Sequence, residues 1–428
     1  MNAKSADARA TVLALLDAVL ARRVPLDQAL AENRTLGVLS PRDRAFARLL
    51  TATVLRRLGQ LDEALARCMA RPVKPGAVRD ILRLGAAQLM FLDTPPHAAV
   101  ATSVDLAAAK NPAMKGLVNA VLRRLAREGA DILKQQDAAK LDTPEWLWQS
   151  WCSSYGEATA RDIAMAHSRE APLDLSVKAD APGWAAKLKA KLLPTGTLRR
   201  APGGLIEELP DYSDGAWWVQ DAAAALPVRL LGDVRGATVA DFCAAPGGKT
   251  AQLAAAGARV IALDQSEVRL KRLRDNLARL KLTAECVTAD AGDWQPAEPL
   301  RFILLDAPCT ATGAIRRNPD VPHLKSPADV ARLAAQQDRL LANAVRALAP
   351  QGTLIYCVCS LEAEEGPARI TRLLGEGAPV ERRPVAPVEI AAIADCITPD
   401  GDLRTLPSQL ADGGGLDGFF ACRLVRKS

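Results

Sequence analysis

The sequence predicts an all-helical domain followed by an α/β domain whose sheet is largely parallel. Apolar residues recur every three or four positions from Asp7 to Arg127, which is the period of amphipathic helices. From Gly236 onward, short apolar runs alternate with helical segments, as in α/β domains. A chain of 428 residues is also too long for one ordinary core, so more than one domain is expected.

The helical domain is predicted over residues 1–130. Clear helical segments are "RATVLALLDAVL", "AVRDILRLGAAQLMFL" and "MKGLVNAVLRRLAR". Breaks are expected at Pro25, at "RPVKPG" and at "DTPPH". In "LSPRD", Ser40 is a candidate N-cap and Pro41 suits the first helical position, because its missing N–H would be unpaired there anyway.

A small α+β connecting domain is predicted over residues 145–235. The helical pattern weakens into a polar stretch past Glu128, and "TPEWLWQSWCSSYG" then begins a more aromatic region. Within it, "LDLSVKADAP" and "GGLIEELP" have the composition of short strands bounded by turn residues.

The α/β domain is predicted over residues 236–428. Its candidate strands are "ATVADF", "RVIALD", "AECVTAD", "RFILLDAP" and "GTLIYCVCS". Helices fit between them, for example "SEVRLKRLRDNLARLKL" and "SPADVARLAAQQDRLLANAVRALA". The final stretch "DGFFACRLVRK" alternates aromatic and apolar residues and predicts a late antiparallel strand.

Composition narrows the class of protein. Hydrophobic residues make up 49% of the chain, but no apolar run reaches the length of a membrane span, and the N-terminus lacks the pattern of a secretory signal. We therefore expect a cytoplasmic protein and a monomer. Residues 1–127 carry 20 Lys and Arg against 10 Asp and Glu, which favours either a polyanionic partner or a solvated helical surface.

The nine cysteines predict neither a disulfide framework nor a metal site. The cytoplasm keeps thiols reduced, which disfavours disulfides. Structural zinc sites use paired Cys or His at short spacings, whereas the three histidines here are scattered and the only close cysteine pair is C-x-C. Free cysteines remain as small buried side chains or as nucleophiles.

The stretch "VADFCAAPGGKTAQLAAAG" predicts a ligand site. A strand leads through a Gly-Gly turn into a helix, and such a turn lets a ligand approach backbone N–H groups. The phosphate-binding G-x-x-x-x-G-K-[ST] pattern fails, because Cys243 stands where its first glycine is needed, and G-x-G-x-x-G is absent. A purely structural turn remains the alternative to a nucleotide-like cofactor.

Three strands in succession end in a carboxylate, Asp264, Asp290 and Asp306, at the edge where open α/β sheets bind ligands. Asp264 is the candidate for the hydroxyl groups of a ribose. In "DAPCTATGAIRRNPD", Pro308 is expected to hold Asp306 and Cys309 in a fixed relation, with Arg316 and Arg317 following near a substrate phosphate. The alternatives are a buried Cys309 and a solvated arginine loop.

The second cysteine motif is "YCVCSLEAEE". Cys357 lies deeper in the predicted strand and is expected to pack in the core, whereas Cys359 lies where the strand ends. Three glutamates follow Cys359, and their charge would raise the pKa of a nearby thiol. Activation of Cys359 would then need Lys249 or a helix N-terminus.

The motifs "DFCAAPGGKT", "ALDQS", "DAPCTATGAIRRNPD", "YCVCS" and "LDGFF" resemble those of the S-adenosylmethionine-dependent RNA cytosine-C5 methyltransferases. The helical front, with "NAVLRR", is similar to the antitermination-factor-like RNA-binding domain of the bacterial 16S rRNA enzymes of this family, the Sun or Fmu proteins. The resemblance implies a Rossmann-like class I methyltransferase domain that forms 5-methylcytosine in 16S rRNA, with S-adenosyl-L-methionine as cofactor and without a metal.

The resemblance also implies roles for individual residues. Cys359 would be the nucleophile that adds to cytosine C6, and Cys309 would assist proton removal or release of the enzyme. Asp306 would contact the cytosine or the methionine end of the cofactor, with Asp264 on the ribose and Asp290 near the adenine. The cofactor loop would consist of Cys243, Ala244, Ala245, Pro246, Gly247, Gly248 and Lys249.

The chain departs from the family pattern in two places. Val358, Ala363 and Gly366 replace the Thr, Pro and Asn of the usual T-C-S and P-E-E-N motifs, and "LSVK" replaces "LRVN".

Amino methyltransferases share the fold but place Pro-Pro and an aromatic residue after the acid, where this chain has "DAPC". Methylation of tRNA, or a non-catalytic RNA-binding protein with a relic domain, remain alternative functions.

Overall fold

The computed structural model describes residues 7–428, with the side chains of residues 391 and 392 left aside. The chain divides into two compact units. The first contains the chain up to Arg169 together with Ile315–Lys325, and the second contains Glu170–Ala314 and Ser326–Ser428. The limits predicted from the sequence for three domains stay a prediction.

The first unit is helical. Its helices are α1 (Ala8–Leu16), α2 (Leu26–Glu32), α3 (Arg34–Val38), α4 (Pro41–Arg56), α5 (Leu58–Cys68), α6 (Ala77–Met90), α7 (Pro96–Lys110), α8 (Lys115–Gln135), α9 (Ala138–Leu141), α10 (Glu145–Tyr155) and α11 (Glu157–His167). A π-helical turn, Asp17–Ala21, follows α1. The helices at the front agree with the three-and-four spacing of apolar residues, and their buried leucines, isoleucines and valines form one core.

The start of α4 shows how local sequence sets a helix end. The Ser40 side chain accepts a hydrogen bond from the N–H of Asp43, and Pro41 occupies the first helical position. Both features were expected from "LSPRD". Capping by serine satisfies a donor that the helix leaves unpaired and contributes about 1 kcal/mol.

The segment Ile315–Lys325 packs with the first unit although it follows the "DAPC" motif in sequence. Arg56 donates to the carbonyl of Arg316 at 3.1 Å, and the N–H of Leu26 donates to the carboxylate of Asp320 at 2.9 Å. Arg316 is 2% exposed, so its guanidinium is buried and the alternative of a solvated arginine loop does not hold for this residue.

The second unit begins with a small antiparallel sheet in the order β2-β3-β1-β4. Its strands are β1 (Leu173–Val177), β2 (Lys191–Leu192), β3 (Leu198–Arg200) and β4 (Trp217–Val219), and α12 spans Ala181–Lys187. The strand expected in "LDLSVKADAP" is β1. The strand expected in "GGLIEELP" was wrong, because Ile206–Glu208 forms a 3-10 turn in which the N–H of Glu208 bonds the carbonyl of Leu205.

A fully buried ion pair fixes this sheet. Arg199 on β3 donates two hydrogen bonds of 2.6 Å to the carboxylate of Asp174 on β1. The same carboxylate accepts from the N–H of Ala222 at 3.0 Å, and Arg199 also donates to the carbonyls of Gly413 and Gly415. The pair therefore ties the small sheet to a loop near the end of the chain.

The large sheet has the order β10-β12-β9-β8-β5-β6-β7, with β11 paired to β12. Its strands are β5 (Thr238–Phe242), β6 (Arg259–Asp264), β7 (Glu285–Thr288), β8 (Leu300–Asp306), β9 (Leu348–Val358), β10 (Val380–Arg382), β11 (Leu403–Thr405) and β12 (Phe419–Arg426). The helices of this part of the chain are α13 (Leu226–Arg229), α14 (Gly248–Ala255), α15 (Glu267–Leu280), α16 (Val321–Leu324, which belongs to the first unit), α17 (Pro327–Ala347) and α18 (Pro367–Gly375).

Strand pairing agrees with the sequence prediction. The five central strands, β5 to β9, are parallel, and β12 runs antiparallel to β9. The fold is thus Rossmann-like with a mixed sheet. Chain order reverses direction between β5 and β8, and such a switch point opens a crevice at the carboxyl ends of the strands.

Two classes of feature are absent from the described residues. Between residues 7 and 428, no helix combines the length and apolarity that a membrane span requires. In the same range, no cluster of three or more His, Cys, Asp or Glu side chains could hold a metal ion.

Candidate active site

The site lies at the carboxyl edge of the parallel strands in the second unit. The loop that follows β5 contains Cys243, the loop after β8 contains Cys309, and the loop after β9 contains Cys359. Since β8 lies between β5 and β9 in the sheet, its loop is flanked by the other two. Register pairs Asp306 with Cys357, so corresponding ends of β8 and β9 are in direct contact.

The loop from Cys243 to Lys249 turns sharply before α14. Cys243 has a φ of +63° and Gly247 a φ of +104°. A Cβ on Gly247 would lie 2.8 Å from the side chain of Leu273, so both conformation and space require glycine there. Ala244 and Ala245 are buried, Pro246 is exposed, and Gly248 begins α14, whose first N–H groups are among those that a helix leaves without an intrahelical partner.

Asp264 and Asp290 border one cavity at this edge of the sheet. Asp264 closes β6, is 2% exposed, and accepts hydrogen bonds from the N–H groups of Ala245 at 3.3 Å and Ser266 at 3.0 Å. Asp290 lies two residues beyond the end of β7, not at the strand end. Arg339 binds both of its oxygens, at 2.9 and 2.7 Å.

These residues fit the cofactor that the resemblance implied. The cavity has carboxylates on one side and apolar walls from Ala289, Pro308 and Leu340, which suits a nucleoside with a hydroxylated sugar and a flat base. Asp264 is held in place by two backbone N–H groups and an ion pair of 3.3 Å with Arg269. A carboxylate fixed in this way can accept hydrogen bonds from ribose hydroxyls without first reorganising.

Cys309 and Cys359 come together although 50 residues separate them in sequence. Their sulfurs lie 3.5 Å apart, and both side chains are partly exposed. The hydrogen bond with Cys359, together with burial, raises the pKa of the Cys309 thiol well above its ordinary value. Cys309 therefore keeps its proton and can donate it toward the sulfur of Cys359.

Cys357 lies in the core, fully buried, as expected for a packing residue. Burial, with the charge of Asp306 adding to it, raises the pKa of Cys357 well above its ordinary value, so the thiol is neutral and inert. Its sulfur is 3.5 Å from a carboxylate oxygen of Asp306. Cys243 is likewise neutral, because burial raises its pKa.

Lys249 brings a positive charge into the site. Its ammonium donates to Asp306 at 2.7 Å and lies 4.9 Å from the centre of the Phe419 ring. Burial alone would lower the pKa of Lys249, but the charge of Asp306 outweighs that effect and raises it above the ordinary lysine value. The ammonium therefore stays charged, and it also interacts electrostatically with the sulfurs of Cys357 and Cys359.

Glu365 joins the two cysteine loops. Its carboxylate is fully buried and accepts hydrogen bonds from the N–H of Thr310 at 2.9 and 3.2 Å and from the hydroxyl of Ser360 at 2.6 Å. The hydroxyl of Thr310 and the amide of Gln337 donate to it as well. Thr310 follows Cys309 and Ser360 follows Cys359, so one side chain holds the residue next to each sulfur.

Two glycines bring the loops still closer. The N–H of Gly313 donates to the carbonyl of Cys359 at 3.0 Å, and the N–H of Gly418 donates to the carbonyl of Gly313 at 2.8 Å. A Cβ on Gly313 would lie 1.9 Å from the carbonyl oxygen of Gly418. Backbone approach this close explains the glycines of "TATGA" and "LDGFF" in physical terms.

Sequence reasoning missed the role of Glu365. It treated the three glutamates after Cys359 together, as charges that oppose thiol ionisation. In the structure they differ, because Glu364 is exposed while Glu365 points inward to bind hydroxyl groups. The hydroxyl residue after each cysteine was the available signal, since two such groups at neighbouring strand ends need a shared acceptor.

Family models match two parts of the chain. Residues 228–425 match the model described as 16S rRNA methyltransferase RsmB/F, and residues 6–127 match the NusB family. The helical front and the methyltransferase part of the chain thus agree with the family named from the motifs. The expected cofactor, S-adenosyl-L-methionine, is confirmed at the level of this methyltransferase family.

Curated relatives and solved structures are similar over most of the chain. The ribosomal RNA small subunit methyltransferase B of Salmonella arizonae is 34% identical over 94% of this chain and 93% of that relative. The protein of the same name from Vibrio cholerae is 36% identical over 78% of this chain and 82% of its own.

Among solved structures, a methyltransferase homolog protein from Pyrococcus horikoshii is 26% identical with a TM-score of 0.54, covering 65% of this chain and 93% of that one. The crystal structure of PH0851 shares the fold at 20% identity, with a TM-score of 0.76 over 99% of both chains. The chain is 34% identical to a relative of which it covers 93%, and this similarity shows the family. The chain belongs to the 16S rRNA methyltransferase RsmB/F family.

Proposed function

We propose that the protein methylates C5 of a cytosine in 16S rRNA through a covalent adduct between Cys359 and cytosine C6. The observation that carries this proposal is the 3.5 Å approach of the sulfurs of Cys359 and Cys309 at neighbouring strand ends, beside the cofactor cavity. Carbon C5 of cytosine is a weak nucleophile, so direct methylation is slow. A thiolate that adds to C6 makes C5 electron-rich and able to form a new bond.

The steps balance as follows. The Cys359 sulfur forms a bond to C6, and the electron pair of the C5–C6 double bond moves toward C5. S-adenosyl-L-methionine, held by the loop from Cys243 to Lys249, would supply the methyl group. The electron pair on C5 would form the bond to the methyl carbon while the bond from that carbon to the sulfonium sulfur breaks, and S-adenosylhomocysteine would leave. C5 then loses its proton, the C5–C6 double bond forms again, and the bond between C6 and Cys359 breaks. The proton from C5 passes to solvent, and Cys309, whose thiol keeps its proton beside Cys359, assists the release of the sulfur by hydrogen bonding to it as its bond to C6 breaks.

The remaining site residues have positioning and electrostatic roles in this proposal. Lys249 places its ammonium group on Asp306, which pairs in the sheet with Cys357, two residues before Cys359. Asp306, held by Lys249, faces the base or the methionine end of the cofactor. Asp264 binds the ribose, Asp290 lies near the adenine, and the loop from Cys243 to Lys249 encloses the cofactor.

The proposal also covers the compartment, the oligomeric state and the state of the target base. The reaction takes place in the cytoplasm, and the protein acts as a monomer. The modified base must reach the sulfur of Cys359, so it is unpaired or turned out of its helix in the substrate RNA, because a stacked base hides C6.

Transfer of radioactive methyl groups tests the proposal. The purified protein is incubated with labelled S-adenosyl-L-methionine and either 16S rRNA or tRNA, and modified positions are mapped as 5-methylcytosine. We expect label in 16S rRNA, no transfer by Cys359→Ala, and a covalent protein–RNA adduct that accumulates with Cys309→Ala. Label confined to tRNA, label on an exocyclic amino group, or full activity of Cys359→Ala would refute the proposal, and binding without any transfer would indicate a relic domain.

A further inference from the structure

A groove runs between α7 and α8 in the first unit. Its empty volume is about 870 Å³, and its lining residues are Pro96, His97, Val100, Ala101, Val104, Asn119, Arg123, Ala126 and Arg127. The floor is aliphatic, whereas an imidazole, an amide and two guanidinium groups form the rim. None of these nine lining residues is an aspartate or a glutamate.

The two arginines of the groove carry charge that the protein does not neutralise. Arg123 and Arg127 are exposed and lie one turn apart on α8, and neither forms an ion pair with another residue in the range 7–428. The neighbouring Arg124 differs, because it pairs with Glu128 at 2.9 Å. The guanidinium of Arg127 donates a hydrogen bond of 3.2 Å to the carbonyl of Arg123, but neither arginine has a carboxylate partner among the described residues, and two such charges beside an apolar floor require an explanation.

We infer that this groove binds the sugar-phosphate backbone of RNA, with Arg123 and Arg127 on two phosphates. Guanidinium groups are planar, always charged and matched to the oxygens of a phosphate, and a helix holds two of them at a fixed spacing. The aliphatic floor at Val100 and Val104 suits the sugars and the faces of unpaired bases. A protein partner fits this groove less well than RNA does. It would need acidic side chains opposite the two arginines, and apart from them the rim offers only His97 and Asn119 for polar contacts.

Charge distribution supports the same conclusion. Residues 1–127 hold 20 Lys and Arg against 10 Asp and Glu, and Arg123 belongs to the "NAVLRR" stretch that the enzymatic chemistry does not use. A second groove in the same unit, bordered by Met69, Val73, Met114 and Leu117, has the basic side chains Arg71, Lys74 and Lys110 in its lining. It lacks the helix-held guanidinium pair. The inference rests on the proposed rRNA substrate and extends it to a particular surface.

Equilibrium binding of a 16S rRNA fragment tests the inference. The wild type, the double variant Arg123→Gln/Arg127→Gln and the control Arg124→Gln are compared by filter binding at several salt concentrations. Glutamine keeps the first three carbons of the stem and a polar end, but removes the charged guanidinium. For the double variant we expect Kd to rise about tenfold near physiological salt, and the slope of log K against log salt to fall by about 1.4 to 1.8, the value for two lost phosphate contacts.

The control separates a specific site from a general charge effect. Arg124→Gln should leave Kd within about twofold of wild type, because Glu128 already neutralises that charge. Equal weakening by both variants would overturn the inference, as would weakening seen only with ribosomal particles and not with naked rRNA, which would indicate a protein partner. Circular dichroism melting verifies that the variants fold. The proposed reaction is tested separately by the position of the methyl group placed by the wild type, so either idea can fail alone.

Discussion

Replacing Glu365 by glutamine tests whether one buried carboxylate sets the positions of both cysteines. In the wild type, its two oxygens accept from the N–H and hydroxyl of Thr310, the hydroxyl of Ser360 and the amide of Gln337. Glutamine has the same length but offers one acceptor oxygen and an NH₂ group. About half of the four donors therefore lose their acceptor.

The structure permits an estimate of the effect. Hydrogen bonds to a charged group contribute about 1.5–3 kcal/mol each, whereas neutral ones contribute about 1 kcal/mol. Weakening or losing the bonds around a fully buried Glu365 should lower the free energy of unfolding by about 2–4 kcal/mol. A displacement of a catalytic group by about 1 Å can cost about 10²-fold in rate, so we expect kcat to fall by 10- to 100-fold.

Steady-state kinetics with 16S rRNA and urea unfolding make up the assay. The KM for S-adenosyl-L-methionine should stay within about twofold, because Glu365 does not line the cofactor cavity and the loss is one of cysteine placement. Glu364→Gln is the matched control, because Glu364 is the preceding residue in the sequence and its side chain is exposed. If Glu365→Gln is stably folded and turns over as fast as Glu364→Gln, the reasoning that this carboxylate positions the sulfurs is wrong.

Three further predictions concern charges in the second unit. Lys249→Met removes the cation bound to Asp306, so methyl transfer should fall by about 10²-fold in the transfer assay, and an unchanged rate would contradict its electrostatic role. Burial raises the pKa of Asp241 to about 7, so the stability that its protonated form contributes to the folded protein is lost as pH rises from about 4 to about 7. In urea titrations, the free energy of unfolding of Asp241→Asn relative to that of wild type should therefore rise by up to about 4 kcal/mol between pH 4.5 and pH 7.5. A difference between the two proteins that does not change with pH would contradict this expectation. Asp174→Ala leaves the buried guanidinium of Arg199 without a counter-charge, which should lower the free energy of unfolding by about 3–5 kcal/mol, whereas a loss below about 1 kcal/mol would show that the pair contributes little.

Much of the fold follows from periodicity alone. The parallel strands and the antiparallel β12 were predicted because buried strands and amphipathic helices leave different spacings. The front helices follow for the same reason. The strand predicted in "GGLIEELP" fails because a short apolar pair beside two acids and a proline is ambiguous, and the local hydrogen bond to Leu205 decides for a 3-10 turn.

The site was less accessible from sequence. Strand ends indicate which residues gather at one edge, and this places Cys309 and Cys359 near each other once β8 and β9 are neighbours. Which loop residues turn inward depends on tertiary contacts that no spacing encodes. Glu365 is the example, since its neighbour Glu364 has the same charge and local sequence but faces water.

The place of β12 in the large sheet has a consequence for protein synthesis. This strand, formed by some of the last residues of the chain, lies between β9 and β10 and also pairs with β11. Until Phe419–Arg426 has left the ribosome, β9 has an open edge and the loop of Gly418 cannot bind Gly313. A chain that lacks this strand therefore carries Cys359 on an unfinished sheet, and the thiol is brought into its working position only after Phe419–Arg426 has joined β9.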